Sequence, residues 1–393
     1  MNPVYAIVIV TAFIALGELV SIWSKARVPS LLVAMLGIFV VAKAGLVPQG
    51  VIDDSLLLQV YTITTGPLLF HMGTLLPLRQ LLQQWRSVII TFAAMLVAVL
   101  AIVAVVTPLF GFATSVAGAG PLAGGIVATG LTTQGLVRAG LTGSVLVVPS
   151  MVLMLQSLPT MPLTNFLLRR HAQHLIDSGE LLKHYGQKDD DATDAEEHRS
   201  HRTLVTMPES LVDNHLFMLF VVCVGGALAT FVAGLTQVPS SIVALVFGVI
   251  AAALGLAPQR ALEKANSFGI AMAAIIALVM APLVKASLAD VLAAIVPTLV
   301  ILVIGVIGIL IGGIIATKLL KLRVELGMAV SLTATYGFPA DYLLTHEVAR
   351  SVGRTTQERE ALVDAMLAPM LVGGFASVSV GSVVIASIMV GLL

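Results

Sequence analysis

One apolar segment occurs twice in this chain, with the two copies 210 residues apart. VPSLLVAMLGIFVVAKAGLVPQ (28–49) aligns without a gap with VPSSIVALVFGVIAAALGLAPQ (238–259), and ten of the 22 positions are identical. Shared Ala, Val and Leu are common in membrane helices, but matching prolines at both ends of a gap-free alignment are not. The repeat therefore predicts that the chain folds as two halves built alike.

Two weaker matches extend the repeat further along each half. LPLRQLL (76–82) resembles APLVKAS (281–287), and GGIVATGLTTQGL (124–136) resembles GMAVSLTATYGF (327–338). Internal duplication of this kind is typical of secondary transporters.

The composition is that of a membrane protein. The mean hydropathy is +1.03, 58% of the residues are hydrophobic and only 11% are charged. Charged residues cluster between apolar runs of roughly 20 residues, the length that crosses a bilayer as a helix, and the alternating pattern of β-barrel strands is absent. The formal net charge of zero argues against a nucleic-acid partner. We therefore expect the chain to sit in a lipid bilayer.

The first apolar run is predicted to be a transmembrane helix and not a removable signal peptide. No basic residue precedes residues 3–22, Glu18 lies within them, and no small-residue cleavage pattern follows. The single cysteine, Cys223, excludes an intramolecular disulfide.

Ten segments are predicted to cross the membrane, five in each half. They are 3–22, 29–48, 56–76, 88–110 and 144–168, then 216–235, 239–257, 267–284, 292–317 and 361–391. One further stretch in each half, 118–140 and 326–346, is rich in Gly, Thr and Pro and too interrupted for an ordinary span. Because non-helical backbone is tolerated at membrane depth only inside protein or beside a wet cavity, each stretch is predicted to be a re-entrant hairpin or a broken helix.

Charge placement favours re-entrant hairpins. If the N-terminus is outside and both stretches are re-entrant, Asp53 and Asp54 fall outside and most basic residues fall in cytoplasmic connections, as the positive-inside bias requires. Arg138 and Lys285 are the exceptions. The basic residues that follow the bias are Lys25, Arg27, Arg79, Arg86, Arg169, Arg170, Arg260, Lys264, Lys318, Lys321 and Arg323.

Five spans and one hairpin per half give an odd number of crossings, so the second half inserts upside down relative to the first. The predicted fold is an all-α polytopic membrane protein, with two inverted repeats of five transmembrane helices plus one re-entrant hairpin each, at 1–168 and 215–393. Residues 169–214 are predicted to be a polar cytoplasmic linker, with both termini outside and the protein in the cell inner (plasma) membrane. The histidines of this linker fit no metal-ligand spacing, so we interpret it as a solvated connection.

The polar residues of the two interrupted stretches form the main candidate site. Aligning Gly135 with Gly337 pairs Thr133 with Thr335 and Gln134 with Tyr336. Glycines let the backbone approach a ligand, Thr hydroxyls and unwound carbonyls offer oxygen ligands to Na⁺, and half-helix N-termini attract carboxylates. The alternative is that Thr and Gly simply permit tight helix packing. The predicted substrate-binding residues are Thr132, Thr133, Gln134, Gly135, Arg138, Thr335, Tyr336, Gly337 and Asp341, and the predicted Na⁺ ligands are Thr129, Thr133, Thr333 and Thr335.

Three ionisable residues have two readings each, because such side chains are costly inside a membrane. Asp341 follows the turn at 337–339 and is a candidate cation ligand or proton carrier, or else a helix cap. His71, within PLLFHMGT, is a candidate proton carrier or a hydrogen-bonded packing residue. Arg138 is a candidate contact for an anionic substrate or an arginine that reaches lipid headgroups.

The chemistry of the chain points to transport and not to an enzyme. No zinc-protease histidine pair, phosphate-binding loop or nucleophile elbow is present, and no cofactor is expected beyond Na⁺ or H⁺ as a coupling ion. The predicted function is symport of a small organic anion with a cation, by alternating access. The alternatives are a cation/proton antiporter, a bicarbonate-type anion symporter, a channel, or a membrane sensor that relies on the linker.

Three segments resemble the glutamate–sodium symporter family and its relatives: PLLFHMGTLLPLRQLLQQWRSVII, GPLAGGIVATGLTTQGLVRAG with VPSMVLMLQSLPTMPLTNFLLRRH after it, and ALVDAMLAPMLVGGFASVSVGSVVIA. The resemblance implies five spans plus a re-entrant loop per inverted repeat, a long central loop, a homodimer, and Na⁺-coupled transport of an amino acid such as glutamate. Bicarbonate symporters and auxin-type carriers share the broad two-half layout. The family's hairpins are denser in glycine than 132–134 and 338–340 are here, which leaves the solute open.

Overall fold

The computed structural model describes residues 1–24, 28–75, 82–179, 181, 207–236, 238–337 and 340–393. Helix makes up 85% of it, and no strand occurs in the described ranges. Seven helical segments are long and apolar enough to cross a membrane, so the chain is an α-helical, multi-pass membrane protein. Lys25, Arg27, Arg79, Phe338, Pro339 and the centre of the linker lie outside the described residues.

The first half forms nine helices among its described residues. They are α1 (Pro3–Trp23), α2 (Ser30–Lys43), α3 (Val51–Asp54), α4 (Leu57–Thr74), α5 (Trp85–Phe110), α6 (Phe112–Ala123), α7 (Gly125–Arg138), α8 (Ser144–Leu155) and α9 (Ser157–Asp177).

The second half repeats this order. After α10 (Glu209–Val212) come α11 (His215–Thr236), α12 (Ser240–Leu254), α13 (Ala261–Lys264), α14 (Phe268–Lys285), α15 (Leu288–Leu319), α16 (Val324–Leu332) with the 3₁₀ turn Thr333–Thr335, α17 (Ala340–Val352), α18 (Thr356–Ala376), the π-helical turn Ser377–Gly381 and α19 (Ser382–Gly391). Even the four-residue helices α3 and α13 occupy equivalent places. We call residues 112–138 the first interrupted segment and residues 324–352 the second.

The residues that match between the two copies of the repeat mark the start and the end of a helix. Pro29 and Pro239 stand immediately before α2 and α12 in extended conformation, with φ of −61° and −51°. Gly45 and Gly255 follow the ends of those helices with φ of +74° and +82°, a conformation that glycine adopts at little cost. The matched residues are therefore those that start and stop the same short helix in each half.

These stops make α2 and α12 shorter than predicted. At 14 and 15 residues they extend about 21–23 Å, less than the roughly 30 Å of a hydrocarbon core. The third predicted span without a counterpart among the seven long apolar segments is α4, whose 18 residues include several Thr and one His. The other seven predicted spans coincide with the seven segments.

The helices pack as two groups. Group I comprises α1–α4 and α11–α14, and group II comprises α5–α9 and α15–α19. In group II the two longest helices, α5 and α15, cross with their backbones close together: a side chain at Gly308 or Gly312 would meet the Cα of Ala98 or Ala94 at 2.6 and 2.7 Å. Within group II the final helix of each half packs on the interrupted segment of the other half. α19 packs on α6 and α7, and α9 packs on α16 and α17.

Small residues hold group I together, and in each half the end of a long helix contacts the short helix of the other half. α4 crosses α11 with Gly66 against Gly226, the small-residue contact that lets membrane helices approach closely. The end of α4 contacts the short helix α13 of the second half. The end of α14 contacts the short helix of the first half, where Lys285 Nζ lies 2.7 Å from a carboxylate oxygen of Asp53.

The linker begins later than predicted. Residues 169–177 continue α9 without a break, and His171 is buried in that helix. The helix continues because no glycine or proline lies between Asn165 and Ser178, so polarity alone was a poor marker of its end.

Candidate functional site

The two interrupted segments are broken next to the same residue, Val378. We call the chain at each break the tip of that segment. Gly124 separates α6 from α7 with φ of +141°, Gly125 begins α7 with φ of +76°, and Gly337 follows the 3₁₀ turn with φ of +59°. A Cβ at these glycines would lie 3.2, 2.7 and 2.9 Å from atoms of Val378. Positive φ and this close approach both require glycine, so the local sequence brings the two tips together.

The last apolar segment of each half is also interrupted, and both interruptions border one cavity. In the first half Gln156 separates α8 from α9, and in the second half the π-helical turn separates α18 from α19. In that turn the Ser382 amide donates to the Ser377 carbonyl, five residues back. Such turns are frequent at functional sites.

A cavity of about 590 Å³ adjoins these breaks. We call it the tip cavity. Group II lines one side with the residues of the breaks. The group I helices α1, α2 and α14 line the other side, which is mainly apolar but includes Glu18, Ser21 and Ser30. The group II residues that line it include Gly125, Ile126, Val127, Gln156, Ser157, Thr335, Tyr336, Ala340, Gly374, Val378 and Ser379.

A second cavity, of about 650 Å³, contains Arg138, and we call it the arginine cavity. The two cavities lie at opposite ends of the helices they share. Along α4, Thr62 and Leu69 line the arginine cavity, whereas Met72 lines the tip cavity. Along α7 the order is reversed, since the first residues line the tip cavity and Arg138 ends the helix.

An apolar contact closes α7 against group I between the cavities. A Cβ on Gly130 would lie 2.7 Å from Cγ1 of Ile275 on α14. Leu131 and Leu69 line the nearby wall of the arginine cavity. The described residues therefore place a tight packing contact of Gly130 in α7 with Ile275 in α14 between the two cavities.

The N-terminus of α7 presents uncapped backbone to the tip cavity. Its first turn has no acidic residue and no side-chain cap, and Gly125, Ile126 and Val127 all line the cavity. The first amide N–H groups of a helix have no intrahelical partner and carry partial positive charge. This end of the cavity favours an anion.

A ladder of hydroxyl groups joins α9 to the second interrupted segment. Thr335 Oγ1 lies 2.8 Å from Thr160 Oγ1, and the Tyr336 hydroxyl donates to Thr164 Oγ1 at 3.0 Å. One turn before Thr160, Gln156 is 2% exposed, and its Oε1 has no partner among the described residues. Gln156 is thus a polar group that a ligand in the tip cavity can reach.

Asp341 lies behind the tip of the second interrupted segment and is completely buried. The Tyr342 amide donates to its Oδ1 at 2.7 Å, and Oδ2 has no partner in the described part of the chain. No described basic residue forms an ion pair with it. A buried carboxylate of this kind has to be neutralised by a proton or a cation.

The structure brings only part of the predicted site together. Thr335 and Tyr336 line the tip cavity, and Gly337 forms the tip of the second interrupted segment. Thr333 and Asp341 are buried behind this wall of the cavity. Predicted residues on α7 lie elsewhere: Gln134, Gly135 and Arg138 line the arginine cavity, and Thr129, Thr132 and Thr133 are buried within α7 and line neither cavity.

The helix boundaries explain this separation. Gly337 stands at a break, but Gly135 lies within α7, eleven residues beyond the break at Gly124. The sequence alignment that paired Gly135 with Gly337 therefore set the part of the first segment that follows its break against the part of the second segment that precedes its break. Thr133 and Thr335 do not occupy equivalent positions.

His71 packs against the second half of the chain. It is buried, its Nδ1 accepts from the Leu262 amide at 3.1 Å, and its Nε2 has no partner among the described residues. Its ring lies tilted against that of Phe268, with the centroids 5.1 Å apart. Thr74 accepts from the Ala261 amide beside it. Together they cap α13, and a doubly protonated ring would lose the acceptor that this cap needs.

Sequence reasoning missed the hydroxyl ladder, although a signal was available. Gln156, Thr160 and Thr164 recur every four residues in an apolar helix, which places them on one face. No group of three His, Cys, Asp or Glu side chains suited to a metal occurs among the described residues.

The chain matches no protein-family model and no curated protein. Its function therefore has to be inferred from the geometry described above.

Proposed function

We propose that the protein is a secondary active transporter that couples entry of a cation, Na⁺ or H⁺, to symport of a small organic anion by alternating access. The observation that carries the proposal is the pair of cavities at opposite ends of α4 and α7, separated by a closed apolar turn beside two broken segments. A transporter needs this arrangement, with one site reachable from one side at a time.

The two halves support an inverted repeat with five crossing helices and one re-entrant segment each. Their helices follow the same order, and the reciprocal packing of α9 and α19 relates the halves across group II. With the termini outside and the linker in the cytoplasm, the arginine cavity opens outward and the tip cavity inward. Lys285, an exception to the positive-inside bias, is neutralised by Asp53.

The tip cavity favours a small carboxylate. The uncapped start of α7 attracts negative charge, and the Ser157 hydroxyl can donate a hydrogen bond nearby. The unpartnered Gln156 Oε1 is an acceptor, which suits an ammonium or hydroxyl group of the same solute. About 590 Å³ accommodates a solute the size of an amino acid or a dicarboxylate. Glutamate and related carboxylates are therefore the substrates we propose to test first.

Group II would move against group I during transport. The contacts between the groups are made chiefly by α14 with α7 and α8, by α12 with α19, and by α2 with α8. In the described part of the chain two hydrogen bonds cross this boundary, from Ser150 to the Val279 carbonyl and between Ser241 and Ser387, each at 2.5 Å. Such an interface can slide without unfolding either group.

A cation/proton antiporter is the second candidate, and Asp341 is the observation that favours it. Its buried carboxylate alone could exchange a proton for a cation. The uncapped start of α7 has no role in that reaction, so the symporter accounts for more of the site.

Uptake into proteoliposomes separates these functions. Labelled glutamate, aspartate, succinate, citrate and bicarbonate are each supplied with an inward Na⁺ gradient or with an inward proton gradient. The proposal predicts that at least one of the organic solutes accumulates only when a cation gradient is present, whereas accumulation of bicarbonate alone would support a bicarbonate symporter. Cation and proton exchange without accumulation of any of these solutes would instead support the antiporter.

A further inference from the structure

We propose that Asp341 and Thr333, facing the bare backbone of Gly374, form the binding site of a coupling sodium ion. This inference rests on the proposed function, because it names the cation and the residues that hold it. The site lies between α17, the 3₁₀ turn and α18, directly behind the tip cavity.

The first observation is an oxygen that lacks a partner. Asp341 and Thr333 are both fully buried. Asp341 uses Oδ1 to accept from the Tyr342 amide, while Oδ2 has no hydrogen-bond partner among the described residues. Thr333 donates its hydroxyl hydrogen to the Val330 carbonyl at 2.5 Å, which leaves the lone pairs of its oxygen available. Two buried oxygens thus have free acceptor capacity.

The second observation is that both oxygens face one point on α18. A Cβ at Gly374 would lie 2.6 Å from Asp341 Oδ2 and 3.5 Å from Thr333 Oγ1. Gly374 has no side chain to occupy that point. The glycine also lines the tip cavity, so the carboxylate lies directly behind the wall of that cavity.

Further oxygen atoms lie at Gly374 itself and three residues after it. Ser377, at the start of the π-helical turn, donates to the Gly373 and Gly374 carbonyls at 2.9 Å, and its own lone pairs remain free. Carboxylate, hydroxyl and carbonyl oxygens are ligands for hard cations. The described residues contain no group of three or more His, Cys, Asp or Glu side chains suited to a transition metal.

The charge of the site selects a monovalent ion. One carboxylate balances one positive charge, whereas Ca²⁺ sites generally use several carboxylates. No Lys, Arg or His is ion-paired with Asp341 in the described ranges. A sodium ion would therefore neutralise Asp341 and tie the tip of the second interrupted segment to α18.

Ion binding at this position couples to the solute. Thr335, two residues after Thr333, contacts α9 through Thr160, and α9 begins next to Gln156 at the tip cavity. Holding the 3₁₀ turn in place would preserve that wall of the cavity. Sodium would then stabilise the state that binds the anion.

The test measures sodium binding without any organic solute. The midpoint of thermal unfolding of the purified full-length protein is followed as NaCl replaces choline chloride at constant ionic strength. The wild-type midpoint should rise with Na⁺. In D341N, which keeps the shape and removes the charge, half-maximal stabilisation should require at least tenfold more Na⁺. An unchanged Na⁺ response in D341N would overturn the site, as would a wild-type midpoint that follows pH but not Na⁺.

A pair of glycine variants tests the geometry independently of the charge. G374A places a methyl group against Asp341 Oδ2 and should weaken the Na⁺ response at least tenfold. G234A is the matched control, because Gly234 also lies in a helix and a Cβ there would meet nothing within 4 Å. A Na⁺ response in G374A equal to that of G234A would contradict the proposal even if D341N failed to fold.

The outcomes for the site and for the proposed function can be told apart. If D341N loses the Na⁺ response but no solute accumulates in proteoliposomes, the sodium site stands and the transport function fails. If solute uptake requires Na⁺ and D341N keeps the wild-type dependence on Na⁺, the function stands and the site fails.

Discussion

Val378 is the residue on which the two interrupted segments converge. Glycines 124, 125 and 337 leave room for it, and each has a positive φ. A larger residue at any of the three would have to adopt a conformation that L-amino acids disfavour and would also contact Val378. The approach of the two tips to Val378 therefore depends on backbone requirements, and the hydroxyl ladder to α9 adds side-chain hydrogen bonds beside the second tip.

Replacement of Gly337 by Ala should destabilise the protein. The left-handed conformation costs a non-glycine residue about 1–2 kcal/mol, and the added Cβ would lie 2.9 Å from Val378 Cγ2. We expect a lower midpoint in thermal unfolding. Gly50→Ala is the control, since its φ is −83° and a Cβ there meets nothing within 4 Å. Equal midpoints for the two variants would show that the tip is not strained.

The sequence identified polar residues of the second interrupted segment but not their individual roles. Asp341, Thr333 and Thr335 stood out because hydroxyl and carboxyl groups are costly in a membrane. Whether a hydroxyl faces a ligand or a neighbouring helix depends on packing partners far away in the chain. Thr335, for example, contacts Thr160, which lies 175 residues earlier.

At the scale of the element, α7 connects the two cavities. Its uncapped start adjoins the tip cavity, Gly130 packs on α14, and Arg138 ends it at the arginine cavity. One helix thus carries an anion-attracting end, a closed turn and a basic residue in order.

A negative charge at the start of α7 should block an anion. Ile126 lines the tip cavity in the first turn, where Ile126→Glu would satisfy the free amides and repel a carboxylate. We expect at least a tenfold loss of solute affinity, which is ~1.4 kcal/mol. Ile126→Gln is the matched neutral variant and should bind within a few-fold of wild type. Equal affinities for the Glu and Gln variants would place the solute elsewhere.

Element order was predictable because apolar length and glycine or proline punctuation are local signals. The ends of α2 and α12 were missed because Gly45 and Gly255 stop each helix before the apolar run ends. The pairing of the interrupted segments failed for a related reason. The resemblance between 124–136 and 327–338 reflects shared Gly and Thr, whereas the breaks are set by which glycine has a positive φ.

At the scale of the whole molecule, the proposed transport requires group II to move against group I. Group II contains both interrupted segments and both interrupted final helices, while group I supplies the mainly apolar wall of the tip cavity and the Ile275 contact. The duplication in the sequence predicted two halves. It did not predict that each half would divide between the two groups, because that division follows from helix packing.

Cross-linking the two groups tests this claim most directly. After Cys223 is replaced by Ser, a cysteine pair at Ser241 and Ser387 joins group I to group II, where the two hydroxyls lie 2.5 Å apart. A pair at Thr107 and Ser115, whose hydroxyls lie 2.8 Å apart within group II, is the matched control. Uptake of glutamate, or of the solute that the proteoliposome experiment identifies, is measured after oxidation and again after reduction. We predict that oxidation abolishes uptake in the 241–387 pair, that reduction restores it, and that the 107–115 pair transports in both states. Wild-type uptake by the fully cross-linked 241–387 pair would contradict the account.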